Sequence, residues 1–224
     1  MIRLQFLSLL FLLSFVGCIQ DDFVADTIDP VLRITTSVDS ISINSSFQFE
    51  AAYFNNVGVQ EAVDIAWSSS DEAIISIDNS GLAQANALGQ TLITASYNNG
   101  QSIISDVMEA NVGQTTVSAP EERSGMISTT SSYALSGDFT LKEVGNNLVL
   151  EFASNYQASS ALPGLYVYLT NNRNTISNAY EIAAVNVFNG QHSYTIPNVK
   201  INDYSYVLYF CKPFTVKVGD GKIL

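Results

Sequence analysis

The chain has 224 residues, of which 47% are hydrophobic and only 13% charged, with a formal net charge of −12. That length allows one or two domains of about 100–150 residues each, and the apolar content excludes a disordered chain. The acid excess sets nucleic acid aside as a partner, because phosphate backbones are bound mainly by Lys and Arg.

The chain opens MIRLQFLSLLFLLSFVGC. Arg3 supplies a positive start, Leu4 to Val16 is almost entirely apolar, and small Gly17 precedes Cys18. This is the layout of a secretory signal. The apolar run is shorter than the ~20 residues a membrane-spanning helix requires. The sequence FVGC resembles the lipobox of bacterial lipoproteins, with Phe15 where Leu is usual. The resemblance implies cleavage after residue 17 and acylation of Cys18, so that lipid holds the protein to a membrane. Asp21 and Asp22 follow directly, resembling the acidic export signal of surface lipoproteins. Residues 18–30 then read as a tether ending at Asp29-Pro30.

From residue 31 to 113 short alternating strands are expected. Phe47, Phe49, Ala51 and Tyr53 alternate with Gln48, Glu50 and Ala52; Val63, Ile65 and Trp67 alternate with Asp64 and Ala66. A period of two places each set on one buried face. Asn55-Asn56, Asp78-Asn79-Ser80-Gly81 and Asn98-Asn99-Gly100 supply turns, and many short strands with regular turns predict a β-sandwich. Trp67, the only tryptophan, is expected to plug the core between sheets. Asp71 and Asp78 are expected to organise turns; their spacing shows no calcium loop. Trp67, Ser69, Asp71, Ile77, Asp78, Gly81, Ala85, Gly89, Ile93, Ala95 and Tyr97 resemble the pattern of the bacterial Ig-like group-two domain. That resemblance implies a spacer or adhesive module at a cell surface.

Residues 114–124, with Pro120 among small polar residues, are expected to form a linker. Residues 125–224 carry a second all-β pattern. Phe139 and Leu141, then Leu148, Leu150 and Phe152, then Leu165, Val167 and Leu169 are spaced to face inward, with Asn146-Asn147, Asn171-Asn172 and Asn189-Gly190 at turns. The blocks LEFASNYQ (150–157), LPGLYVYLTNN (162–172), NGQHSYTIPN (189–198) and YSYVLYFCKPFTVKVGDGKIL (204–224) resemble, in order, those of the DM-thirteen domain. Leu165 stands where that family has Asp, Phe210 where it often has Trp, and VGDGK replaces its closing motif. The resemblance implies redox or electron-transfer work at a hallmark cysteine, here Cys211.

Lipidation of Cys18 leaves Cys211 without a partner in the chain, which suggests a free thiol or an intermolecular bond. Lys212 would favour the thiolate, and Tyr209, Phe210 and Pro213 flank it. Parity leaves the orientation open. In unbroken register Cys211 shares the wetter face of Thr215 and Lys217, whereas a bulge at Pro213 turns it inward. As a buried thiol it would be a small hydrophobe.

The single histidine, His192, is expected in a solvated hairpin. With Cys211 it falls short of the three or four ligands that zinc or copper takes. No GxSxG, HExxH or Gly-rich phosphate loop occurs, and Glu143 and Glu151 show no sign of pairing as an acid–base couple. No cofactor is expected. The sequence therefore describes two tandem β-sandwiches behind an outer-membrane lipid anchor, facing the surface or the periplasm. Two functions stay open: redox work through Cys211 with a partner protein, or non-catalytic adhesion or ligand binding, for instance of a surface glycan.

Overall fold

The computed structural model describes residues 26–118 and 122–224. The signal segment, Cys18, Asp21, Asp22 and Pro120 lie outside the described residues. No described helix is long and apolar enough to cross a membrane.

The first unit contains β1 (Val31–Ile34), β2 (Ile41–Ser42), β3 (Ser46–Gln48), β4 (Ala51–Phe54), β5 (Gln60–Glu61), β6 (Ala66–Ser69), β7 (Ile75–Ile77), β8 (Leu82–Ala85), β9 (Gly89–Asn98) and β10 (Ile103–Gly113). They make three small sheets, ordered β2-β10-β9-β6, β1-β4-β5 and β3-β8-β7. Between the sheets lies one core that includes Leu32, Ile34, Ile41, Phe49, Ile75, Ile93 and Ala95. The expected run from Phe47 to Tyr53 does not form a single strand. Its first part pairs with β8 and its second with β1, so the chain changes sheets at Phe49-Glu50. Phe49 fills the corner, buried against Phe47 at 5.0 Å and Trp67 at 6.1 Å between ring centroids. Trp67 is half-buried and packs on this core.

The turn at Asp78 forms as the sequence predicts. Its Oδ1 accepts hydrogen bonds from the Ser80 hydroxyl at 2.6 Å, the Ser80 amide at 2.8 Å and the Leu82 amide at 3.1 Å. Gly81 then adopts φ +83°, a conformation glycine reaches without a Cβ penalty.

The second unit contains β11 (Glu122–Thr129), β12 (Leu135–Val144), β13 (Asn147–Phe152), β14 (Gln157–Ala158), β15 (Leu165–Thr170), β16 (Tyr180–Ala184), β17 (His192–Pro197), β18 (Tyr206–Cys211) and β19 (Val216–Lys222). A turn of 3-10 helix, Lys212–Phe214, joins the last two strands. The described part of the expected linker is partly structured. Glu122 to Ser124 already pair with β12, and Val117 bridges Ser40.

All strands of this unit belong to one sheet, ordered β16-β15-β18-β19-β11-β12-β13-β17, with β14 added to β12. The inward sets expected from alternation point into a single core. It runs from Ile127 and Phe139 through Leu150 and Phe152 to Leu165, Val167, Val207 and Val218. One sheet enclosing one core must curl on itself, so both layers of the sandwich come from a continuous, barrel-like sheet. Close backbone approach makes the seam between β11 and β19. A Cβ on Gly125 would lie 2.2 Å from the Lys222 carbonyl oxygen, and one on Gly219 would lie 2.2 Å from that of Ser128. Glycine is required at both positions by space alone, and at Gly221 as well, where a Cβ would lie 2.6 Å from the Met126 carbonyl oxygen, which accounts for both glycines of VGDGK.

A polar joint holds the two units together. From β1, the Arg33 guanidinium donates to the Asn202 carbonyl oxygen, to Ser205 Oγ and, at 3.0 Å, to Asn171 Oδ1. Asn202 Nδ2 donates back to the Thr35 carbonyl at 2.9 Å, and Asn172 Nδ2 donates to the Asp26 carbonyl. Arg33 also lies 4.7 Å from the centre of the Phe54 ring. Burial, and then the nearby charge of Arg123, push the Arg33 pKa down from its ordinary value.

Candidate functional site

Cys211 closes β18, a strand covered on both sides. Val207, Tyr209 and Cys211 face the core, while Leu208 and Phe210 pack outward on Tyr168. Cys211 is 0% exposed, and its thiol donates to the Pro163 carbonyl oxygen at 3.3 Å. It pairs with Leu165 on one side and Val216 on the other. Of the two orientations that parity leaves open, the structure has the inward one, away from Thr215 and Lys217. Thr215 turns into the left-handed region at φ 52°, and the pairing of β18 with β19 shifts between Tyr209 and Phe210. These two irregularities put the sulfur beside Val216.

The residues expected to support the thiol divide. Lys212 does not serve it. Its ammonium pairs with the Glu181 carboxylate and lies 4.3 Å from the centre of the Tyr166 ring, on the outward side of the strand. Phe210 is on that same outward side. Pro213 packs on Gly164, where an added Cβ would meet its ring at 2.8 Å, and the Lys212 amide donates to the Gly164 carbonyl at 3.1 Å. Pro213 thus seats the Pro163-Gly164 segment that caps the sulfur. Tyr209 alone shares the face of Cys211. Phe214, in the helical turn that interrupts the strand alternation, is 62% exposed.

His192 is not in a solvated hairpin. Its ring stacks on Phe152 with centroids 5.0 Å apart and planes 19° apart, and its Nε2 is buried. Glu143 accepts the Ile201 amide at 2.7 Å, and Glu151 pairs with Lys142 at 3.3 Å. These carboxylates are engaged separately. Among the described residues no three His, Cys, Asp or Glu side chains gather where a metal ion would fit.

A large concavity lies elsewhere. A cleft of about 1540 Å³ opens between the units, lined from the first by Phe47, Glu50, Asp64 and Trp67 and from the second by Asn178, Lys200 and Asp203. The joint residues Asn171 and Asn202 lie on its wall. It combines aromatic faces with carboxylates and amides, and both units contribute. Sequence reasoning missed the cleft, and it missed Arg33 and Asn202. The only local signal was a cation in the apolar strand VLRI, which marks an outward position but not what covers it.

Comparison with models of known protein families gives no match, and comparison with curated proteins gives none.

Proposed function

We propose that this chain is a lipid-anchored protein of the bacterial outer membrane that binds a polar ligand, without catalysis, in the cleft between its two β units. The cleft is the observation that carries the reading. Its aromatic side chains, Trp67 and Phe47, offer flat apolar faces, and Glu50, Asp64, Asn178 and Asp203 offer hydrogen-bonding groups around them. That mixture suits a surface glycan, whose ring C–H faces stack on aromatics while its hydroxyls take directed hydrogen bonds. The lipobox resemblance supplies the anchor at Cys18. The Ig-like resemblance of residues 31–113 supplies a display module for residues 125–224, which resemble the DM-thirteen domain.

Trp67 makes the test direct, because as the sole tryptophan it reports on the cleft. The full chain in detergent, titrated with a panel of neutral and acidic oligosaccharides, is expected to show a saturable change in tryptophan emission with at least one of them. Asp64→Ala is expected to weaken that binding about tenfold, the scale of one lost polar contact. A panel that leaves the emission unchanged at millimolar concentration overturns the reading.

The redox reading of Cys211 has a geometric condition. A thiol that is 0% exposed under Pro163 exchanges electrons with a partner thiol only if that segment opens, since exchange proceeds by direct attack at sulfur. Maleimide labelling of the folded full chain, read by mass, tests it. Labelling at a rate near that of the unfolded chain supports redox work, and labelling only in denaturant excludes it.

A further inference from the structure

The interior of the second unit gathers polar atoms that neither the cleft nor the thiol uses. The hydroxyls of Tyr156, Tyr194 and Tyr209 and the Nε2 of His192 are buried, with no hydrogen-bond partner among the described residues. Tyr156 is 1% exposed and Tyr209 0%. Their rings form one cluster. Tyr156 lies 4.4 Å from His192 and 6.3 Å from Tyr209, and His192 lies 5.3 Å from Tyr194, centroid to centroid. Phe152 touches all four rings, at 4.9 to 6.3 Å.

Buried polar groups in folded proteins are nearly always paired, and each left unpaired costs stability. Four such atoms in one aromatic cluster are a shared feature of the site rather than four separate accidents. The chemistry of each is defined. His192 Nδ1 lies 3.0 Å from the Gly190 carbonyl oxygen. A carbonyl only accepts, so Nδ1 carries the hydrogen, and in the neutral ring Nε2 then presents a lone pair. Each phenol can donate one hydrogen bond and accept others. The Tyr156 and Tyr209 hydroxyls approach closely enough to act on each other's ionisation as a weak hydrogen-bonding pair, but the approach falls short of full hydrogen-bond geometry and leaves both with capacity for a further partner.

We propose that this cluster is a built site for internal water, which donates to Nε2 of His192 and bridges the tyrosine hydroxyls. Water matches both needs, because it donates twice and accepts twice, and buried waters typically join about three such groups. An ionic occupant fits poorly. Burial raises the Tyr156 pKa to about 12 and that of Tyr209 well above its ordinary value, so the phenols stay neutral and cannot supply the phenolates that a hard cation would require. The site does not depend on the cleft or on the state of Cys211.

Tyr209→Phe keeps the ring and removes one hydroxyl, so it tests the site without emptying the core. A high-resolution crystal structure of the full chain is expected to show ordered solvent within hydrogen-bonding distance of at least two of the four atoms. The melting temperature of Tyr209→Phe is expected to fall by several degrees, because the bridge loses a member and leaves others unpaired. A dry cluster, or a variant that melts at the same or a higher temperature, would overturn the proposal.

Discussion

Arg33→Ala should uncouple the two units. The substitution removes three donated hydrogen bonds and the cation over Phe54. Hydrogen bonds to a charged group contribute about 1.5–3 kcal/mol each, and burying the guanidinium offsets part of that sum. Asn171 Oδ1 keeps the Ser205 hydroxyl at 3.1 Å, whereas the Asn202 carbonyl loses the guanidinium. A net coupling of about 2–4 kcal/mol is the result, in the range found when one partner of a buried charged contact is truncated. Urea unfolding of the full chain reads it. Trp67 fluorescence follows the first unit and far-ultraviolet circular dichroism follows both. With a slope of about 2 kcal/mol/M, the Trp67 midpoint should fall by about 1–2 M and separate from the circular dichroism transition. Arg33→Lys should recover only part of the loss, since one ammonium cannot reproduce the guanidinium fork. An unmoved Trp67 midpoint in Arg33→Ala would refute the idea that this contact fixes the cleft.

Two further predictions concern the frame. Gly125→Ala drives a Cβ to 2.2 Å from the Lys222 carbonyl oxygen and 2.5 Å from Phe139, so thermal denaturation should show a loss of at least the ~1–3 kcal/mol typical of an overfilled core. Gly113→Ala, whose nearest neighbour would be 3.5 Å away, should be close to neutral in the same assay; equal losses would refute the seam. The hydrogen bond from the Ser80 hydroxyl, joined by those from the Leu82 and Ser80 amides, holds the Asp78 carboxyl below the ordinary carboxylate range. A pKa depressed in the folded state contributes stability above the unfolded value of about 3.9, and that contribution is lost as pH falls through the folded pKa. Carboxyl titration by NMR should place Asp78 below that value and show an upward shift in Ser80→Ala, whereas a midpoint at or above it would contradict the turn geometry.

Much of this molecule was legible locally. The period-two sets of Phe139 and Leu141, of Leu148 to Phe152 and of Leu165 to Leu169 all face the core, because alternation is a property of a single strand and needs no knowledge of its neighbours. Asp78 organises its turn within four residues, again a local matter. Which strand pairs with which is decided over long sequence separations, and there the sequence by itself stops. The change of sheet at Phe49, the capping of Cys211 by Pro163, the loss of Lys212 to Glu181 and the stacking of His192 on Phe152 each depend on a partner far along the chain. The cleft depends on two units meeting through Arg33 and Asn202, which are separated by 169 positions. Composition and spacing determined that the chain is built of β-strands and which side chains face inward. Only the tertiary structure decided what those strands enclose, because enclosure is set by distant surfaces brought into contact.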